Sequence, residues 1–151
     1  MFWGCFNGVT KGPGIFWEKD WGWIGQESYC AHIVPIIDGW IRMNPGLQLM
    51  QDGAPGHAAG DTQADLKERG ITPLFWPAFS PDLNPIETVW NWMKDYIEAK
   101  YPEEDCTYDQ LREAVQEAWD SITQQQLASL LVDMNQRCED VIAAEGGHTK
   151  W

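Results

Sequence analysis

The clearest structural signal in this chain is the start of a helix within residues 80–90, Ser-Pro-Asp-Leu-Asn-Pro-Ile-Glu-Thr-Val-Trp. Asn84 is a residue type favoured at the N-cap, and Pro85 suits the first helical position because proline has no amide proton to leave unpaired. Apolar side chains then recur at helical spacing. The segment predicts a helix from Pro85 to about Lys100 that carries Glu87 on its first turn.

A second carboxylate, Asp52, follows an apolar run over residues 47–51 and precedes the turn-forming residues 53–57. Thirty-four residues separate Asp52 from Glu87. A carboxylate at the end of a strand and another on the first turn of a helix can converge on one divalent cation. Hard cations such as Mg²⁺ take oxygen ligands and keep positions for water and substrate phosphates. The pair predicts a phosphoryl-transfer site with Asp52 and Glu87 as catalytic metal ligands.

Each of these residues also has a simpler interpretation. Glu87 stands three residues after Asn84, where its carboxylate could close a capping box instead of binding metal. Asp52 fits an ordinary turn after a strand, since Asp and Gly are favoured there. His57 could reach a metal or a phosphate, but a histidine in a glycine-rich loop is more often a local hydrogen-bonding residue. The joint spacing and the flanking sequence favour the metal site for the two carboxylates.

Four segments carry a family resemblance: residues 1–6 (Met-Phe-Trp-Gly-Cys-Phe), 50–57 (Met-Gln-Asp-Gly-Ala-Pro-Gly-His), 76–90, and 146–151 (Gly-Gly-His-Thr-Lys-Trp). On these segments the chain resembles the catalytic domain of mariner-type transposases of the Tc/mariner superfamily, DDE enzymes that cut and join DNA. The resemblance implies a ribonuclease-H-like α/β fold, a mixed sheet flanked by helices. It also implies two Mg²⁺ or Mn²⁺ ions, transposon ends and target DNA as partners, and a location in the nucleus.

The same resemblance places part of the site outside these residues. In the family the first catalytic Asp lies on a strand upstream of the Trp-Gly-Cys segment, whereas Asp20 and Asp38 fall in a turn and a predicted helix. We therefore expect the first strand to be missing and the triad to be incomplete, so that the chain is an inactive fragment or relic of a DDE endonuclease. Gly53 stands where the family usually has Asn, and Gly56 where it often has another side chain. Gly53 removes a polar group beside Asp52.

The composition predicts a single domain over residues 1–151, since 151 residues with 44% hydrophobic content suffice for one core, and the resemblance implies that this domain is a partial DDE catalytic domain. No run approaches the roughly 20 apolar residues that cross a membrane. The four cysteines and three histidines are scattered, which argues against a zinc site or a disulfide framework and favours a reducing compartment.

The formal net charge of −13 is unfavourable for binding DNA, because Lys and Arg supply most of the affinity for phosphates. Residues 101–151 hold eleven Asp or Glu against three Lys or Arg, whereas residues 1–50 carry a net charge of −1. We expect weak DNA binding by this chain alone, and the resemblance leaves a homodimer open. An alternative function is that of a host-recruited, non-catalytic interaction protein that binds a partner near Trp119 and residues 103–105.

Apolar or aromatic runs bounded by turn residues predict β-strands, the first two as a hairpin. They lie at residues 1–6, 14–18, 47–51 and 71–76. Helical spacing and end signals predict helices elsewhere. They are expected over residues 24–41 with an interruption at Pro35, over residues 60–69 before Gly70, and after the caps Thr107 and Thr123, the latter in a capping box with Gln126. In the helix after Asn84, Trp90 is expected to pack inward and Trp92 to be exposed or to contact a partner.

Overall fold

The computed structural model describes residues 1–101 and 106–151. These residues form two units by their contacts. The first unit comprises Met1–Phe16 and Pro81–Trp151, and the second unit comprises Trp17–Ser80. Asp52 belongs to the second unit and Glu87 to the first. The expectation of one domain over residues 1–151 stays a prediction.

An antiparallel hairpin opens the first unit, with β1 at Phe2–Phe6 and β2 at Lys11–Phe16. Oδ1 of Asn7 accepts two backbone amide hydrogen bonds of 2.8 Å inside the turn. The hairpin is confirmed, but β2 begins at Lys11, earlier than the predicted residues 14–18. Because the Asn7 turn reverses the chain within a few residues, the Lys-Gly-Pro-Gly run that follows is free to pair with β1.

Two glycines face each other across this hairpin, Gly4 opposite Gly14, and the indole of Trp119 lies against both. A Cβ atom at Gly4 would lie 2.9 Å from Cη2 of Trp119, and one at Gly14 would lie 2.9 Å from its Nε1. Optimal separations between nonbonded heavy atoms are about 3.5–4.0 Å. A Cβ at Gly14 would also lie 2.6 Å from Cζ of Phe2, so the rings of Phe2 and Trp119 together favour glycine at these two positions.

The second unit contains short helices that surround a buried apolar cluster. They are α1 at Gln26–His32, α2 at Val34–Met43, α3 at Pro55–Ala58 and α4 at Gly60–Glu68. The predicted interruption at Pro35 is confirmed, because α1 ends and α2 begins around Ile33. Gly70, with φ of 76°, follows α4 in the left-handed conformation expected of a C-terminal glycine. The buried apolar side chains are Trp17, Tyr29, Ile33, Val34, Ile37, Leu66 and Ile71.

Two predicted strands, residues 47–51 and 71–76, are not strands in the structure. The sheet found among the described residues is the two-stranded hairpin, narrower than the mixed sheet that we expected. The amide of Leu74 donates a 2.8 Å hydrogen bond to the carbonyl of Leu49, so the two segments do meet. A strand requires a ladder of such bonds along a neighbour, and these segments form no assigned ladder.

Helices make up the rest of the first unit. They are α5 at Pro85–Lys100, α6 at Tyr108–Ser121, α7 at Gln124–Val132 and α8 at Met134–Ala143. The caps at Asn84, Thr107 and Thr123 are confirmed, and Thr123 forms the predicted capping box with Gln126. No helix in the described part of the chain has the length and apolar character needed to cross a membrane.

The core of the first unit lies between α5, α6 and α7. Its buried residues are Val89, Met93, Ala118, Trp119, Ile122, Leu127 and Leu130. Trp90 packs against this cluster as predicted, with its ring centroid 6.0 Å from that of Trp119. Trp92 is partly buried against the same cluster, so the exposed position was wrong, and the alternative that it contacts a partner stays a prediction. An indole is large enough to reach the core from the flank of a helix.

Candidate functional site

Asp52 lies between α2 and α3 in a segment without regular secondary structure, and its side chain is 50% exposed. Oδ1 of Asp52 accepts a 3.1 Å hydrogen bond from the amide of Ala54. The same oxygen lies 2.6 Å from Nδ1 of His57. Oδ2 takes part in no hydrogen bond to any described residue. One oxygen of this carboxylate is therefore held by local partners, and the other is available to a ligand.

His57 is held in place by other residues of the second unit. The centroid of its ring lies 4.6 Å from that of Tyr29, and its backbone carbonyl accepts a 2.6 Å hydrogen bond from Nε2 of Gln63. The hydroxyl of the buried Thr62 donates a 2.6 Å hydrogen bond to the carbonyl of Gly56, which ties α3 to α4. The interpretation of His57 as a local hydrogen-bonding residue is the one that the structure supports. Its partner, however, is the candidate ligand Asp52 itself.

An open pocket of about 230 Å³ adjoins Asp52 within the second unit. Gln51 and Trp76 are among the residues that line it. Nε2 of Gln51 and Nε1 of Trp76 are buried and have no hydrogen-bond partner among the described residues. Since buried polar groups are usually paired, these two donors are unusual features next to a candidate ligand.

The first turn of α5 holds Glu87. Oδ1 of Asn84 accepts a hydrogen bond of 3.4 Å from the amide of Ile86, and Asn84 is 6% exposed. The amide of Asn84 donates to the carbonyl of Pro81 at 2.8 Å, so it is not available to the Glu87 carboxylate. The capping-box interpretation of Glu87 is therefore wrong. Its carboxylate forms no hydrogen bond or ion pair with the described residues, and the half-buried side chain keeps both oxygens available.

Arg137 is a residue of this region that the sequence analysis missed. It lies on α8 and is 2% exposed. Nη1 donates a 3.2 Å hydrogen bond to the carbonyl of Asp82, and Nη2 donates one of 3.1 Å to Oγ1 of Thr88. These acceptors lie before and after Glu87 in the sequence. No local pattern distinguishes Arg137, because a lone arginine in an acidic helix normally reads as a solvent-exposed residue.

The two acidic residues set aside earlier have other roles. Asp20 lies in a 3-10 turn over Lys19–Trp21. Asp38 lies on α2, where Nε of Arg42 is 2.6 Å away and Nη1 of Arg69 is 3.4 Å away. Hydrogen bonding from Arg42 is the main reason that the pKa of Asp38 is lowered. Among residues 1–101 and 106–151, moreover, no cluster of three or more His, Cys, Asp or Glu side chains could hold a metal ion.

Comparison with known proteins identifies similar chains. Residues 36–109 match the family described as DDE superfamily endonuclease. The chain is 31% identical to the Tcb1 transposase of Caenorhabditis briggsae over 153 residues, covering 100% of this chain and 54% of that protein. It is 29% identical to the Tc1 transposase of Caenorhabditis elegans over 154 residues, with the same two shares. The chain thus spans about half the length of these curated relatives.

Solved structures of similar fold are also found. The catalytic domain of the Mos1 mariner transposase superposes with a TM-score of 0.80 at 15% identity, covering 99% of this chain and 75% of that one. The Mos1 catalytic domain with Raltegravir and Mn superposes with a TM-score of 0.81, also at 15% identity, covering 99% of this chain and 76% of that one. At this identity the likeness concerns the fold, and it confirms the predicted ribonuclease-H-like fold.

Proposed function

The chain carries a DDE endonuclease domain of the Tc1/mariner transposase family, and from this premise we propose that Asp52 and Glu87 are two of its metal-binding carboxylates. The observation that carries the proposal is that most of their carboxylate oxygens have no hydrogen-bond partner in the described part of the chain. Oδ2 of Asp52 and both carboxylate oxygens of Glu87 take part in no hydrogen bond among the described residues. These three oxygens are therefore free to coordinate an ion, and carboxylate oxygens are ligands that hard divalent cations prefer.

Mg²⁺ or Mn²⁺ is the metal that we propose for this site, with two ions in the complete family site. Solved structures of the Mos1 catalytic domain contain Mn and Mg. The donor atoms present here suit such ions, because hard divalent cations prefer carboxylate oxygens. A bound ion would activate an oxygen nucleophile and stabilise the leaving oxygen during strand cleavage and strand transfer.

The residues around the carboxylates have their own tasks in this proposal. His57 and the amide of Ala54 hold Oδ1 of Asp52, which turns Oδ2 away from them. Partners of this kind orient a metal ligand, and the loss of one typically lowers metal affinity about 10–100-fold. The Asn84 cap and the buried Pro85 fix the first turn of α5, so that Glu87 extends from a defined backbone position.

DNA is the proposed substrate of the domain. Mos1 structures include a paired-end complex with the left transposon end and a strand transfer complex. The net charge of −13 opposes phosphate binding by these 151 residues, so we propose that their affinity for DNA is weak on their own. The nuclear location and the homodimer stay predictions.

These 151 residues supply two of the three carboxylates that the family resemblance implies. An ion held by two carboxylates lacks a ligand, so we expect weak metal binding and no strand cleavage by this chain alone. The interaction-protein alternative has lost one of its supports, because Trp119 is 3% exposed and cannot form a docking surface. Its other proposed surface, residues 103–105, lies outside the described residues.

The test combines metal binding with DNA cleavage. Purified chain is titrated with Mn²⁺, and water-proton relaxation reports the bound ion. Asp52→Asn and Glu87→Gln should each weaken the binding, and supercoiled plasmid should stay intact in Mg²⁺ or Mn²⁺. Binding that neither substitution changes would remove the proposed ligands. Plasmid nicking that Glu87→Gln abolishes would keep the ligands but overturn the expected inactivity.

A further inference from the structure

The direction of the Glu87 carboxylate depends on where α5 begins, because Glu87 lies on its first turn. A metal ligand must be held within a fraction of an ångström of its working position, which requires supporting contacts. The Asn84 cap is one support, but its 3.4 Å hydrogen bond to the amide of Ile86 is long. The first turn therefore needs a stronger constraint, and the structure contains one.

Arg137 forms hydrogen bonds to residues that precede and follow Glu87 in the sequence. Its hydrogen bond to the carbonyl of Asp82 reaches the 3-10 turn over Pro81–Leu83, and its hydrogen bond to Oγ1 of Thr88 reaches α5 itself. The guanidinium is a rigid planar fork, so its two donors hold these acceptors at a fixed separation. The turn and the helix are thereby locked together around Glu87.

The end of the chain covers this guanidinium. Cζ of Arg137 lies 4.7 Å from the ring of Trp151, within the range of a cation–π contact. Nε1 of Trp151 donates a 2.9 Å hydrogen bond to Asp140 on α8, and the hydroxyl of Thr149 donates one of 2.9 Å to the carboxylate of Asp82. The same turn is thus held by Arg137 and by the chain end that covers Arg137.

Helix stability does not explain this arrangement. A cation near the N-terminus of α5 is unfavourable for the helix dipole, which prefers negative charge there. Burial is also costly for a guanidinium, and it lowers the pKa of Arg137 although Asp133 and Asp82 offset part of the effect. Nε of Arg137 is buried without a hydrogen-bond partner among the described residues. Burying an incompletely paired guanidinium lowers the stability of the fold. A role of Arg137 in positioning Glu87 would explain why it is nevertheless buried here.

The geometry points to Arg137, covered by Trp151, as a positioning residue that fixes the first turn of α5 and so directs the carboxylate of Glu87 toward its metal. This inference rests on the proposed function, because it assumes that Glu87 binds an ion. Arg137 itself touches neither metal nor substrate in this role. Thr88 is the acceptor through which the position of Arg137 is transmitted to α5.

The test measures Mn²⁺ affinity in matched variants of the full chain. Arg137→Lys keeps the charge and loses the fork, and Thr88→Val keeps the shape and loses the acceptor. Each should weaken Mn²⁺ binding about tenfold, at the low end of the usual effect of removing a ligand's supporting partner. Thr88→Ser restores the acceptor and should bind Mn²⁺ like the original chain. Arg42→Lys, on the exposed face of α2, is the control for the loss of a guanidinium and should change nothing.

Glu87→Gln distinguishes a failure of the positioning role of Arg137 from a failure of the proposed metal site. If Glu87→Gln weakens Mn²⁺ binding whereas Thr88→Val leaves it unchanged in a chain with native circular dichroism, the positioning role is overturned and the proposed function stands. If Glu87→Gln has no effect, the proposed function fails first. Weakening by Glu87→Gln and Thr88→Val, with recovery in Thr88→Ser, supports both.

Hydrogen exchange gives a readout that does not depend on metal. In Thr88→Val, the amides of the first turn of α5 should exchange about tenfold faster, whereas the amides around Met93 keep their protection because local opening differs from global unfolding. Equal acceleration along all of α5 would indicate a general loss of stability and would contradict a specific positioning role.

Discussion

Glu87 and Asp52 are held by different kinds of contact. The helix turn that carries Glu87 is fixed by a buried arginine that comes 55 and 49 residues later in the sequence than its two acceptors. Asp52 is 50% exposed, and its hydrogen-bonding partners lie two and five residues away. The turn of one carboxylate is therefore held by a residue far away in the sequence, and the other carboxylate is held directly by residues of its own loop, of which His57 also contacts Tyr29. We expect substitutions in the packed region to cost stability, and substitutions in the loop to act mainly on ligand binding.

The largest expected effect is on the packing of the first unit. Trp119→Ala should lower the free energy of unfolding by about 3–5 kcal/mol, because it removes a buried indole from the core that supports α5. Chemical denaturation measures this loss. Trp23→Ala is the matched control, since Trp23 is 95% exposed and should change stability by less than about 0.5 kcal/mol. Equal effects at the two positions would contradict the role of Trp119 in the core.

Thr62 tests whether the Asp52 side has a buried support of its own. Thr62→Val leaves the carbonyl of Gly56 without its 2.6 Å hydrogen bond and should cost about 1–3 kcal/mol in thermal or chemical unfolding. Thr62→Ser keeps the hydroxyl and should cost less than Thr62→Val. A cost for Thr62→Val close to zero would mean that this hydrogen bond does not support α3, which would widen the difference between the two carboxylates.

The Asn84 cap should have an intermediate effect. Asn84→Ala should cost about 1 kcal/mol, the usual value for a lost N-cap. It should also weaken Mn²⁺ binding, because Glu87 lies on the turn that the cap supports. Thr123→Ala removes a comparable cap from α7, where Oγ1 accepts a 3.3 Å hydrogen bond from Gln126. If Thr123→Ala weakened Mn²⁺ binding as much, the effect of Asn84 would reflect stability rather than position.

Gly53 should have the smallest effect on stability. A Cβ at this position meets no atom within 4 Å, so Gly53→Asn should change the free energy of unfolding by less than about 0.5 kcal/mol. The new amide oxygen beside Asp52 should strengthen Mn²⁺ binding, since carbonyl oxygens suit hard cations. Gly53→Ala adds the Cβ without the oxygen and should bind like the original chain. Equal Mn²⁺ affinity in Gly53→Asn and Gly53→Ala would show that the oxygen does not reach the ion.

The sequence predicts those parts of the fold that local chemistry determines. The caps at Asn84, Thr107 and Thr123 and the glycine after α4 were predicted because each depends on residues within one turn. The strands at residues 47–51 and 71–76 were not predicted correctly, because a strand exists only if a partner supplies its ladder. The apolar sequence of these two segments does not show whether a neighbouring strand is present to pair with them.

The same distinction applies to the candidate site. Asp52 and His57 lie five residues apart, so their association could be anticipated from the sequence. Arg137 could not be anticipated, since its acceptors lie far away in sequence and nothing in the acidic segment indicates burial. The exposed position expected for Trp92 failed for the same reason, because the neighbouring elements that cover it come from other parts of the chain.

The rings packed beside Gly4 and Gly14 have a consequence for sequence divergence. Gly14 is constrained both by Phe2 on the paired strand and by Trp119, whereas Gly4 is approached by the indoles of Trp119 and Trp90, which come much later in the sequence. The two glycines and the rings beside them form an epistatic set with an order of change, in which the neighbouring rings must become smaller or move before either glycine can acquire a side chain. Relatives that keep aromatic residues at the positions of Phe2, Trp90 and Trp119 should keep both glycines, and a smaller residue at position 119 alone should not free Gly14.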